Sequence, residues 1–103
     1  MINTSKPRLL VVDDNPEICE FLRLVSTEMG FDVVDETRAA AALRIIDSFK
    51  PNLILLDLRM PAMDGIEMIA TLGALRRAAT VVLLGGLDPR ALSSRPALGL
   101  GRE

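Results

Sequence analysis

Aspartates placed directly behind apolar runs are the residues of this chain most suited to chemistry. Leu9-Leu10-Val11-Val12 leads into Asp13-Asp14, and Leu53-Ile54-Leu55-Leu56 leads into Asp57. If both runs are strands of one parallel sheet, the three carboxylates converge at its carboxyl edge, where open α/β sheets bind ligands. Like charges packed so closely are costly unless protonated or neutralised by a cation. An oxygen-only set of carboxylates plus a carbonyl suits Mg²⁺, which keeps several waters and often bridges to phosphate. Such an ion would screen a phosphoryl group approaching Asp57, making carboxylate attack on phosphorus and an aspartyl-phosphate feasible. Each motif alone has a plainer meaning. Asp-Asp-Asn behind a strand is often helix capping and turn chemistry, and an aspartate at a strand end is often a solvated terminus. Together, at equivalent ends of two apolar strands, they favour a site.

The elements that must position these carboxylates follow from the apolar spacing. Arg8–Val12 reads as a first strand, and Asn15 or Asp14 caps a helix that Pro16 opens. Ile18, Phe21, Leu22, Val25 and Met29 give that helix, residues 16–29, an apolar stripe, and Gly30 stops it. Residues 31–35 form a weaker strand. Thr37, a plausible cap, to Phe49 reads as a second helix with Leu43, Ile46 and Phe49 inward, ended before Pro51. Leu53–Leu56 is a strand buried on both faces, followed by a loop from Met60 to Asp64. Gly65–Arg77 forms a third helix with Ile66, Ile69, Leu72 and Leu75 inward, and Thr80–Leu84 a fourth strand closed by Gly85-Gly86. The β-α-β-α-β-α-β order predicts a parallel sheet with right-handed crossovers.

Composition bounds what such a site serves. The 103 residues suffice for one small domain, half of them apolar, with a net charge of -2. That charge offers no basic field for nucleic acid, and three Phe without Trp or Tyr leave little for stacking bases. No apolar run approaches the roughly 20 residues that cross a bilayer, and the amino-terminal arm has no secretory apolar core. Cys19 is alone, which fits a reducing cytoplasm and a packing role. The chain has no histidine, so it has no His-based triad, zinc site or phosphohistidine of its own.

Val11-Val12-Asp13-Asp14-Asn15, Leu55-Leu56-Asp57-Leu58-Arg59-Met60-Pro61 and Met63-Asp64-Gly65 together resemble the receiver domain of bacterial response regulators. The resemblance covers about residues 8–90. It implies a flavodoxin-like α/β fold with sheet order 2-1-3-4. Asp57 would take a phosphoryl group from the histidine of a sensor kinase or phosphotransfer protein. Asp14, Asp57 and the backbone carbonyl of Arg59 would bind Mg²⁺ directly, with Asp13 helping through water.

The chain departs from the family pattern in its last third. Gly85 stands where the family carries the Ser or Thr that senses the phosphoryl group. The lysine that follows the family's fifth strand has no counterpart by position, since Lys6 and Lys50 both lie elsewhere. The fifth strand and fifth helix are expected to be lacking. The chain then divides into an arm (1–7), a receiver core (8–86) and an irregular tail (87–103) in place of the usual output face. The fourth strand becomes an open edge. About half of Val81, Val82, Leu83 and Leu84 should stay partly exposed, on a face covered only by the first helix. We expect a homodimer, or a partner protein, on this strand and on the tail leucines Leu87, Leu92, Leu98 and Leu100. Folding back of the tail over the gap is the alternative.

The resulting reading is a cytoplasmic two-component phosphoacceptor and not an enzyme beyond its own phosphorylation and dephosphorylation. It would act as shuttle, sink or adaptor, since the roughly 15 residues after the fourth strand cannot hold a helix-turn-helix. A receiver-derived interaction module that is never phosphorylated is the alternative. An aspartate-nucleophile hydrolase needs a second aspartate two residues on, where this chain has Arg59.

Overall fold

Short β-forming runs alternate with amphipathic helices along the chain, and each forms the element its spacing predicts. The computed structural model describes residues 5–60 and 64–85. In order they form β1 (Arg8–Val12), α1 (Pro16–Glu28), β2 (Asp32–Glu36), α2 (Ala39–Phe49), β3 (Leu53–Asp57), α3 (Gly65–Ala78) and β4 (Thr80–Leu84). The strands make one parallel sheet in the order β2-β1-β3-β4, the flavodoxin-like order that the resemblance implies. No described helix is long and apolar enough to cross a membrane.

β1 and β3 are the inner strands, which is why their sequences are almost wholly apolar. Leu10, Val12, Ile54 and Leu56 bury one face against Ala42 of α2, Leu75 of α3 and Met60. Leu9 and Val11 bury the other against Cys19 of α1, with Leu22, Phe31, Val33, Leu53 and Leu55 packed around them. Each fully buried Leu, Ile or Val contributes about 1.5–3 kcal/mol, so β1 and β3 anchor both cores.

Helix ends follow local chemistry. Asn15 caps α1, its Oδ1 accepting from the N–H groups of Glu17 (2.8 Å) and Ile18 (3.2 Å). At the other end Gly30 takes φ 101°, which lets its N–H reach Thr27 O and that of Phe31 reach Ser26 O. Thr37 does not cap α2: that helix starts two residues later, behind Arg38, with no side-chain cap. α2 ends at Lys50 in the left-handed region (φ 53°), where the Lys50 carbonyl accepts from Arg8 Nε at 2.6 Å.

Two helices present different stripes from those expected. In α1 the buried residues are Ile18, Cys19 and Ser26, while Phe21, Val25 and Met29 are exposed. The helix lies over β1 and β2, so its seam runs through Cys19, Leu22 and Ser26. In α3 Thr71 and Leu75 are buried, with Met68 and Leu72 packed inward. Ile66 and Ile69, expected inside, are 81% and 74% exposed. Docking against both β4 and α2 turns the α3 seam toward the sheet and leaves those two residues on the outer flank.

At β4, Val82 and Leu83 are 43% and 45% exposed, so the open area lies on both faces and not on one. The tail after Gly85, with its leucines, lies outside the described residues. So does the loop at positions 61–63.

Candidate functional site

Sheet register brings the acidic residues together. Val12 stands beside Leu56, so the residues that follow, Asp13 and Asp57, emerge side by side from adjacent strands. Carboxylate oxygens of Asp13, Asp14 and Asp57 all lie within 4.8 Å of one another. Asp13 and Asp57 are buried, while Asp14 is exposed at the mouth.

Backbone N–H groups hold two of these carboxylates in place. Asp13 Oδ1 accepts from Asn15 N at 2.9 Å, and Asp57 Oδ1 accepts from Arg59 N at 2.9 Å. Both bonds span two residues, the turn an aspartate makes with its own chain. Behind them Asp13 N donates to Glu36 O, tying the end of β1 to β2, and Leu58 N donates to Leu84 O at 3.0 Å. That last bond sets Gly85 just beyond the residue paired with Asp57. Gly85 has open space around it: a Cβ there would meet nothing within 4 Å.

Burial and like charge act together on Asp13. Burial lifts the Asp13 carboxyl to about 6, the Asn15 N–H pulls it down, and the charges of Asp57 and Asp14 raise it again. An oxygen-only cluster of three carboxylates has the donor set that suits a hard divalent ion. Cys19, below it, is no ligand. Its thiol donates to Asp13 O at 3.2 Å, and burial pushes it up to about 11, which makes it inert packing.

The structure thus gathers Asp13, Asp14 and Asp57, with Arg59 in the turn after β3. Two supporting features escaped the sequence reading. Met60, expected in a loop, is buried in the core and lines a cavity of about 450 Å³ beside Asp14, between the first turns of α2 and α3. Asp64, also assigned to the loop, caps α3 in a reciprocal box: it accepts from Glu67 N at 2.8 Å, and Glu67 accepts from Asp64 N at 3.1 Å. The signal was present, since an acidic residue three positions before a Glu is the mark of such a box.

Comparison with known proteins agrees with this arrangement. The family description "Response regulator receiver domain" matches residues 9–94. The DNA-binding response regulator MtrA of Mycolicibacterium smegmatis is 38% identical over 73 residues, 71% of this chain and 32% of MtrA. The transcription regulator BvgA of Bordetella pertussis, described as a regulator of virulence factors, is 35% identical over 95 residues, 91% of this chain and 45% of BvgA. The chain therefore spans less than half the length of these curated relatives. Among solved structures, the receiver domain of Francisella response regulator 1452 is 30% identical with a TM-score of 0.65, over 80% of this chain and 68% of that one. With motif, sheet order and acidic cluster all in register, this chain belongs to the receiver-domain family of two-component response regulators.

Proposed function

We propose that Asp57 is the phosphoacceptor, and that Asp13, Asp14, Asp57 and the Arg59 backbone carbonyl hold Mg²⁺. The observation that carries this reading is the burial of Asp57 at the end of β3 within 4.8 Å of two further aspartates. When bound, Mg²⁺ neutralises the carboxylates and screens the charge of an incoming phosphoryl group. The chain's own part is to present a carboxylate oxygen in a fixed direction. The Arg59 N–H engages Oδ1 and leaves Oδ2 as the attacking atom. That oxygen attacks phosphorus on the phosphohistidine of a sensor kinase or phosphotransfer protein. An O–P bond forms, the P–N bond breaks, and the released imidazole nitrogen takes its proton from solvent.

The adaptor, shuttle or sink reading extends this to the partner. With Gly85 in place of a hydroxyl side chain, the signal leaves through protein contact and not through a Ser or Thr sensor. The open edge of β4 is the surface on which a second copy or another protein meets the chain, and the cytoplasm is where its donor would reach it. Direct contact with nucleic acid forms no part of this function.

Treatment with acetyl phosphate and Mg²⁺, read by intact mass, tests the reading. Wild type should gain one phosphoryl group and Asp57→Asn none. No adduct from acetyl phosphate or from a histidine kinase, or an adduct that persists in Asp57→Asn, would favour an interaction module that is never phosphorylated.

A further inference from the structure

We infer that two copies of this chain pair β4 against β4, antiparallel and centred on Val82, to make one continuous eight-stranded sheet. This rests on the reading of β4 as an association edge and adds its geometry. Thr80 N donates to Asn52 O at 3.4 Å, and Leu84 O accepts from Leu58 N at 3.0 Å. The N–H and C=O of one strand residue point the same way and alternate along the strand. Thr80, Val82 and Leu84 therefore bond to β3, and Val81 and Leu83 direct theirs to the open side. Among the described residues nothing pairs with them.

A two-fold contact between identical edges must be antiparallel. Centring it on Val82 sets Val81 opposite Leu83 of the second copy, twice. Each of these pairs exchanges both hydrogen bonds, so all four open donors and acceptors of each strand are satisfied. Val82 then faces its own copy at a non-hydrogen-bonded position, about 4.5 Å between Cα atoms. Centring on Val81 or Leu83 would satisfy fewer groups. The strand Thr80–Leu84 also lacks the Lys, Pro or bulge by which natural edges resist such pairing.

Charge selects the same orientation. Arg76 and Arg77, in the last turn of α3, line a concavity of about 660 Å³ with Asn52 and Thr80 at the amino end of β4. The aspartate cluster stands at the carboxyl end of the sheet. Antiparallel pairing sets the basic end of each copy toward the acidic end of the other. A parallel partner would oppose like to like.

A five-residue strand covers far less than the about 800 Å² per partner of a stable interface, so a helix flank must contribute. On α3, Met68, Thr71, Leu72 and Leu75 face inward, and Glu67 and Ala70 face the cavity toward α2. At 100° per residue Ile69 and Arg76 take the opposite flank, on the side of β4, while Ile66 points away from the sheet. Exposed Ile69 and Leu83 thus flank the strand on one face, and two such pairs meet across the two-fold axis.

Sedimentation of the full chain without any phosphodonor tests this, so a failure here leaves phosphorylation of Asp57 untouched. Wild type should show a monomer–dimer equilibrium. Ile69→Glu should weaken it by about tenfold or more while its melting curve stays that of wild type, since the residue is exposed. Val82→Cys should form a disulfide-linked dimer under mild oxidation, with buried Cys19 not competing. Hydrogen exchange at the Val81 and Leu83 amides should slow as concentration rises. A monomer at every concentration, protection independent of concentration (the mark of an edge covered within one chain), or a dimer that Val82→Cys does not link would each overturn the proposal.

Discussion

The ends of β1 and β3 and the end of β4 are built on opposite terms. The inner strands deliver Asp13 and Asp57 buried, side by side, and each fixed by a backbone N–H. β4 delivers Gly85, with no side chain, on a strand whose outer backbone groups have no strand partner among the described residues. Both regions lie on the same sheet edge, one strand apart. The difference teaches that gathering three carboxylates at one place needs only two packed strands and the turns that follow them. On the proposed reading, β4 offers no side chain at Gly85 to meet the acceptor, and its outer edge serves association instead.

The contrast is tested most strongly by shortening one leucine on each strand. Leu56 of β3 is fully buried within the α2–α3 core, whereas its register partner Leu83 of β4 is nearly half exposed. Leu56→Ala should cost about 2–5 kcal/mol in unfolding free energy, through lost transfer and the cavity left behind. Leu83→Ala, which leaves a surface that water refills, should cost about 1 kcal/mol or less. Urea denaturation of both variants in dilute solution measures this. Equal losses would mean that β4 is covered as fully as β3.

A second measurement concerns the acidic end alone. The Asp13 carboxyl is raised to about 6 from an ordinary 3.8, first by burial. The folded chain then binds its proton more tightly than the unfolded chain. Folding takes up protons between about pH 4 and 6, so stability falls as pH rises through that window. The full loss, reached above about pH 6, is about 3 kcal/mol for this buried group. In chelator, wild type should therefore lose stability relative to Asp13→Asn between pH 4 and 6, and Mg²⁺ at neutral pH should return it to wild type but not to the variant. A difference that stays flat with pH would show that the folded chain does not raise the Asp13 carboxyl.

How much of this was legible from residues depends on how uniquely each pattern reads. Leu53–Leu56 could be little but an inner strand, and the acidic residues behind it and behind β1 had one edge to share, so the cluster of Asp13, Asp14 and Asp57 followed. Helix faces were harder. α1 carries apolar residues around much of its circumference, and periodicity alone does not choose between the stripe of Phe21, Val25 and Met29 and the one through Cys19, Leu22 and Ser26. Where the helix docks makes the choice, and that is a tertiary fact. Ile66 and Ile69 mislead for the same reason, since an isoleucine on a helix reads as core until the neighbours are placed. Thr37 looked like a cap by type, but the chain leaving β2 does not turn into α2 until Arg38.

The smallest structural change should sharpen the comparison most at the level of function. Gly85→Ser adds a hydroxyl one residue beyond the partner of Asp57, into space where a Cβ meets no atom within 4 Å. Because the substitution neither clashes nor fills a core, it should leave stability within about 0.5 kcal/mol of wild type. A donor at that place would meet the negative charge that grows on a transferring phosphoryl group. It should speed uptake from acetyl phosphate on the order of tenfold, below the roughly hundredfold of one positioned hydrogen bond at a buried centre, because the position is exposed. Intact-mass time courses on wild type, Gly85→Ser and Gly85→Ala separate the hydroxyl from the methylene that carries it. If serine and alanine behave alike, the end of β4 does not address the acceptor at all, and the two halves of this edge are joined in packing but independent in mechanism.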